Sequence, residues 1–323
     1  MRACPCCGRG NFVTRYSSFQ IREEIDARAS FVNQWFDHKP KKIELMDLTE
    51  FMHGGPGRLL ACAHCGLLRR EEDSEPHYAD DVYDPDLLNH LYPRYVAAFR
   101  AKEKDYRDLL PPRAEVVELG SHVGAFLEVA ERWDWRPIGL DIGRCTSAFA
   151  RSKGLTVRRK AIEDSSLRGH GLDALFIWNC FEQIEDPGST LRSAQRLLKP
   201  HGLLVVRVPN VKFYERWRAQ GARRAALRGL AYNNLLGFPY LFGYSPPALL
   251  RLLARNGFEP FEWHNSSLLT IPFPDLPAVV ERESSVVNRV LSSDRASLTG
   301  PWIEVVCRSV MNQNGELKFA AAR

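Results

Sequence analysis

Glu118-Leu119-Gly120-Ser121-His122-Val123-Gly124 is the stretch that decides the fold. The apolar-rich run before it, residues 114–119, predicts a strand. After it, residues 123–132 place Val123, Phe126, Leu127 and Ala130 on one helical face. The seven residues therefore sit at a strand-to-helix turn. Gly120 permits the sharp turn, and Gly124 lets helix and strand approach each other. Asp141 stands 21 residues beyond Gly120, at the end of the next predicted strand. A carboxylate there can grip ribose hydroxyls. His122 holds the middle position where dinucleotide-binding loops carry glycine, which favours a nucleoside without phosphates.

The pattern continues in both directions. Short strands are expected at 137–140, 155–158, 172–178 and 203–208, with helices at 144–153 and from Asp186-Pro187 through Leu198. Asp186 and Pro187 make an N-cap and first-turn pair, and Pro200-His201-Gly202 ends that helix. Upstream, residues 95–110 read as a helix stopped by Pro111-Pro112. Alternating strands and helices at this spacing predict an α/β fold with a parallel sheet covered on both faces.

The N-terminal region carries a different signal. Cys4-Pro5-Cys6-Cys7-Gly8 and Cys62-Ala63-His64-Cys65-Gly66 are matched Cys-x-x-Cys-Gly knuckles. Cys4, Cys7, Cys62 and Cys65 supply the four thiolates of a tetrahedral, closed and therefore structural zinc site. Cys6 is a bystander, and Cys145, Cys180 and Cys307 are expected in the core. The expected organisation is a zinc-binding domain at 1–70, a Tyr-rich connector at 71–112, the sheet domain at 113–310 with an insert at 211–244, and a polar tail at 311–323.

Composition narrows the class. The chain has 323 residues, 45% hydrophobic and 26% charged, which excludes disordered and fibrous proteins. No run of about 18 apolar residues occurs, so no membrane span is expected. The first residues lack the apolar core of a signal peptide, so a cytoplasmic location is expected. Lys and Arg number 44 against 39 Asp and Glu, a net charge of +5. That permits an anionic substrate, but it is too mild for a dedicated nucleic-acid binder, and no nucleic-acid partner is expected. Oligomeric state is not legible in the sequence.

Residues 117–124, Gly139-Leu140-Asp141, Ile162-Glu163-Asp164, 172–178, Ile184-Glu185-Asp186-Pro187, 197–204, Val208-Pro209-Asn210 and 249–258 together resemble the class I S-adenosylmethionine-dependent methyltransferases. The resemblance implies a Rossmann-like, seven-stranded, mostly parallel sheet with its last strand antiparallel. It also implies S-adenosylmethionine as cofactor. By the family pattern Glu118, Gly120, Ser121 and Gly124 surround the methionine part, and Asp141 holds the ribose. Ile162, Glu163 and Asp164 border the adenine, and Asn179 closes the site near the sulfonium.

The paired knuckles resemble a subgroup with an N-terminal zinc-ribbon-like domain that methylates nucleotide-linked deoxysugars and related glycan or natural-product acceptors. The subgroup's sugar C-methyltransferases use a Glu-His pair with His as base. Here the pair is Glu182-Gln183, and an amide cannot take that proton at neutral pH. O-methylation of a sugar, glycan or natural-product intermediate is therefore expected ahead of N- or C-methylation. Glu182 is expected to orient the acceptor, with Gln183 beside it and Tyr92 contacting it. Tyr78, Tyr83, Tyr95, His122 and His264 are further candidates. The segment 211–232 sets Lys212, Arg216, Arg218, Arg223, Arg224 and Arg228 against Glu215, which suits an anionic acceptor. An RNA methyltransferase and a non-catalytic methyltransferase-like protein are the alternatives.

Overall fold

The computed structural model describes residues 3–21, 23, 57–71, 85–178, 180–219, 241–266 and 297–310. Expectations for 24–56, for the tail 311–323, and for Tyr78, Tyr83, Asn179 and 220–240 lie outside these residues. The strands are β1 (Phe12–Tyr16), β2 (Leu59–Cys62), β3 (Leu68–Arg70), β4 (Glu115–Leu119), β5 (Arg136–Leu140), β6 (Val157–Arg158), β7 (Leu172–Trp178), β8 (Leu198–Pro209), β9 (Phe242–Gly243), β10 (Phe258–Asn265) and β11 (Trp302–Ser309). The helices are α1 (Pro85–Arg100), α2 (Glu103–Tyr106), α3 (Ala125–Arg132), α4 (Arg144–Ser152), α5 (Pro187–Leu197), α6 (Val211–Ala219) and α7 (Pro246–Arg255). Two compact units divide the chain. One comprises Met1–Val82, Val208–Leu249 and His264–Ile303; the other comprises Tyr83–Arg207, Leu250–Trp263 and Glu304–Arg323.

The seven-stranded sheet has the order β10-β11-β8-β7-β4-β5-β6. The pairings β4–β5, β4–β7, β5–β6 and β7–β8 are parallel. The last strand in sequence, β11, lies inside the sheet between β8 and β10. In β7, Leu-Asp-Ala-Leu-Phe-Ile-Trp, only Asp173 is not fully buried, as a central parallel strand covered on both faces requires. Phe126 of α3 and Phe99 of α1 meet Phe176 and Trp178 of β7 in an aromatic layer. Asp186 caps α5 by accepting from the Ser189 N–H at 2.9 Å, with Pro187 in the first turn.

Two local expectations are corrected. The connector helix begins at Pro85 and ends at Arg100, and α2 and a 3-10 turn at Arg107–Leu109 carry the chain on from there. Pro93 lies inside α1. Buried Leu88, Leu91, Val96 and Phe99 hold the helix together across the hydrogen bond that proline removes. The second correction concerns β8, which starts at Leu198 rather than 203. A register shift on β7 between Leu172 and Ala174, with His201 at φ 63°, accommodates Pro200-His201-Gly202 within the strand.

One buried ionic cluster crosses this core. Lys102 donates to Glu304 Oε1, Tyr106 donates to Glu304 Oε2 at 2.6 Å, and Arg207 Nε stands 3.7 Å from Oε1. Lys102, Arg207 and Glu304 are all buried. Two cations leaning on one carboxylate make that carboxylate hard to replace. Glu304→Gln is expected to cost about 3–5 kcal/mol of stability in urea unfolding, because it leaves buried charge uncompensated. A loss under about 1 kcal/mol would show that the cluster does not hold the core.

Candidate active site

The site is built from the glycine loop outward. Gly120 has φ 71°, and a Cβ on it would lie 2.6 Å from Cys180 Sγ. Gly124 has φ 77°, and its Cβ would meet Leu155 at 2.6 Å and Ala150 at 3.0 Å. Both positions therefore require glycine for the turn and the close approach foreseen. His122, between them, also adopts a positive φ of 47°. The Gly120 N–H donates to Leu140 O at 2.7 Å, which ties the loop to the end of β5.

Asp141 is the fastening of this loop. Its Oδ2 accepts from the His122 N–H at 2.6 Å. Its Oδ1 accepts from the Gly143 N–H at 2.7 Å and from Thr146 Oγ1 at 3.1 Å. The carboxylate thus joins the glycine loop to the start of α4 and keeps lone pairs for a ligand. Beside it Ile142 is an apolar side chain 60% exposed, which the sequence reading passed over. The signal was present: a branched apolar residue immediately after a strand-ending acid. Ile162 is buried, Glu163 is exposed and accepts from Thr190 Oγ1 at 2.9 Å, and Asp164 is exposed.

Two further carboxylates are buried here. Glu118, at the end of β4, has an Oε2 without a hydrogen-bond partner among the described residues. Burial, and after it the charge of Asp141, holds Glu118 well above the usual carboxylate range. Glu182 follows β7 in the 3-10 turn Phe181–Gln183, and neither of its oxygens has a hydrogen-bond partner in another of the described residues. Burial pushes it up to about 8, although its own backbone N–H and, after it, the charge of Arg207 pull it back toward ionisation. Cys180 seats this turn against the loop by donating its thiol to Leu119 O at 3.2 Å. The Ser121 hydroxyl is buried there too, without a hydrogen-bond partner among the described residues. An unpartnered buried carboxylate is costly, and a cation bound beside it offsets that cost. The donor set fits a cationic ligand such as a sulfonium or an amino group.

The tyrosines divide. Tyr92 donates its hydroxyl to Glu128 on α3, and its ring packs edge-on to Phe149 at 5.7 Å. Tyr95 stands edge-on to His122 of the glycine loop at 6.0 Å. His264 is buried in β10. Gln183 donates its backbone N–H to Cys180 O at 3.0 Å.

In the other unit, β1, β2, β3 and β9 form a four-stranded sheet in that order. Cys4, Cys7, Cys62 and Cys65 gather with their sulfurs all within 4.8 Å of one another. Cys4–Cys65 and Cys7–Cys62 each stand at 3.5 Å. Tetrahedral zinc with bonds of about 2.3 Å would set sulfurs about 3.8 Å apart, so the cluster fits that ion. Gly8 and Gly66 close the two knuckles at φ 76° and 71°, donating to Cys4 O and Cys62 O at 2.7 and 2.9 Å. Cys6 is buried outside the cluster, as expected, and Cys307 is buried in β11, whereas Cys145 and Cys180 are half-buried. Within this unit Glu215 of α6 accepts from Arg15 Nε and from Lys212 Nζ, each at 2.9 Å, so part of the basic segment is already paired. No described helix is long and apolar enough to cross a membrane.

Residues 88–262, more than half of the chain, match the model of the methyltransferase-domain family, and the chain belongs to that family. The C-methyltransferase NovU of Streptomyces niveus is 29% identical over 170 residues, covering 48% of this chain and 38% of that relative's length. Solved S-adenosylmethionine-dependent methyltransferases are also similar. The one from Archaeoglobus fulgidus is 19% identical over 69% of this chain and 98% of that one, with a TM-score of 0.45. The one from Aquifex aeolicus is 15% identical over 71% and 100%, with a TM-score of 0.46.

Two outcomes follow from this geometry. Asp141→Ala is expected to weaken S-adenosylmethionine binding by about 1.5–3 kcal/mol in calorimetry, as for loss of a charge-assisted hydrogen bond. Unchanged affinity would detach Asp141 from the cofactor. Glu182 binds its proton more tightly in the folded chain than the ordinary value of 4.5 allows. Its contribution to stability is therefore fully present below that value and is lost as pH rises through about 8. Melting of wild type against Glu182→Gln should show the wild type falling behind over that window. Parallel pH curves would place Glu182 in contact with water.

Proposed function

We propose that this enzyme transfers a methyl group from S-adenosylmethionine to a hydroxyl oxygen of a small anionic acceptor, a sugar, glycan or natural-product intermediate. The observation that carries this reading is the grouping of Glu118, Asp141 and Glu182 at the ends of β4, β5 and β7. Two of the three are buried, with oxygens that have no hydrogen-bond partner in another of the described residues. In open α/β sheets ligands bind beyond the carboxyl ends of the strands.

In this reading Glu118, Gly120, Ser121 and Gly124 receive the methionine part, and Asp141 receives the ribose hydroxyls. Ile142 and Ile162 cover the adenine, with Glu163 and Asp164 at its border. Asn179 keeps the place near the sulfonium that the sequence suggests. The cofactor supplies an activated methyl group, so the protein contributes chiefly orientation. Glu182 orients the acceptor. Contact with the acceptor falls to Tyr95 in place of Tyr92, whose hydroxyl is engaged by Glu128. The cationic run from Lys212 to Arg228 supports an anionic acceptor.

The NovU relative favours a second reading, methylation at carbon. Gln183 argues against it, since an amide cannot remove a proton from carbon. Incubation with methyl-labelled S-adenosylmethionine and nucleotide-linked sugars, followed by mass spectrometry, is expected to find the label on a sugar oxygen. Label on carbon, or transfer to RNA alone, contradicts the assignment.

Zinc completes the proposal. Cys4, Cys7, Cys62 and Cys65 hold one ion in a closed shell without a catalytic position. Elemental analysis should find about one zinc per chain, and Cys62→Ser should lose it. Because β9 pairs with β3, hydrogen exchange should then rise at Phe242–Gly243 as well as in the N-terminal strands. A metal-free, fully folded wild type would refute the site.

A further inference from the structure

The catalytic base is the part of this chemistry that the sequence leaves open, since Gln183 cannot serve. We propose that Glu182 is the group that takes the acceptor's proton, and that it sheds its own proton when the cationic cofactor binds. The inference rests on the methyl-transfer reading of the same site.

Glu182 differs in its surroundings from Asp141, Tyr92 and Glu118 at this end of the sheet. Asp141 has both oxygens engaged, by the His122 and Gly143 amides and Thr146. Tyr92 is bound to Glu128, and burial holds its hydroxyl well above the usual tyrosine range. Glu118 has one unpartnered oxygen and lies within β4. Glu182 is buried with neither oxygen hydrogen-bonded to another of the described residues, in a turn immediately beyond the carboxyl end of β7. Cys180, two residues before it, abuts Gly120 and so brings that turn to the loop.

The charged and titratable surroundings set its behaviour. Arg207 on β8 is the cation whose charge acts on Glu182, and Arg207 in turn leans on Glu304 of β11 beside Lys102. The Cys180 thiol, buried beside this turn, feels the charge of Glu182 and, after it, those of Asp141 beyond β5 and Glu118 at the end of β4. With its acidity weakened to about 8 by burial, Glu182 carries its proton at neutral pH before the ligand arrives. A sulfonium nearby favours the ionised form and expels that proton to solvent. On transfer, the new oxygen–carbon bond forms as the carbon–sulfur bond breaks, and its electron pair stays on sulfur. Glu182 takes the hydroxyl proton. Carboxylate and sulfonium thus become carboxylic acid and neutral thioether, with no charge left unbalanced in the buried site. The acceptor atom this device serves is one that carries a proton, a hydroxyl above all.

The test is proton linkage by calorimetry of the full chain in buffers of different ionisation enthalpy, using S-adenosylmethionine and S-adenosylhomocysteine. Near pH 8 the methionine form should release about half a proton more than the homocysteine form, which lacks the sulfonium charge. Glu182→Gln should abolish that difference while still binding S-adenosylhomocysteine, which shows the variant folded. Glu182→Asp should restore it in part, and Glu118→Gln should keep it. Equal release by both ligands in the wild type, or a difference that survives in Glu182→Gln, overturns the proposal. Failure of the wild type to bind either ligand would instead remove the methyl-transfer reading itself.

Discussion

Three carboxyl groups, gathered at the carboxyl ends of three parallel strands and two of them buried, are the constraint on which this structure turns. Asp141 compensates its own charge through backbone amides, and in doing so it sets the glycine loop. Glu118 and Glu182 do not compensate theirs among the described residues. Burying such groups costs several kcal/mol unless a partner arrives. Carboxyl groups kept there without a partner suit a positively charged ligand.

The sheet makes this arrangement possible. Strands β4, β5 and β7 pair in parallel, so their carboxyl ends, and the turns that follow, emerge on one edge. Gly120 and Gly124 let that edge close tightly: a side chain at either position would meet Cys180 or Leu155 within 2.6 Å. The buried Lys102–Glu304 pair ties the segment after α1 to β11 of the same sheet. Arg207 links that pair electrostatically to Glu182, so the core ionic cluster and the site are not independent.

Much of this was legible in the chain, because local rules carried it. Glycines between a strand and a helix, an acid after the next strand, an apolar run such as 172–178 and two matched cysteine knuckles each express one physical requirement. What escaped depended on tertiary partners. Pro93 is tolerated because four buried side chains hold α1 across it. Nothing local tells that Phe242–Gly243 pairs with β3, since that contact joins residues far apart in sequence. Tyr92 and Tyr95 look alike in the text, and only the helix phase sends one to Glu128 and the other to His122. The orphaned oxygens of Glu182 are likewise visible only once its neighbours are placed.

A crystal structure of the full chain with S-adenosylhomocysteine is the most direct test. The ribose hydroxyls should lie on Asp141, the adenine against Ile142, and the sulfur should face the turn that carries Glu182. A nucleoside bound away from Asp141, or a sulfur turned away from Glu182 with both carboxylate oxygens still unpartnered, would contradict it.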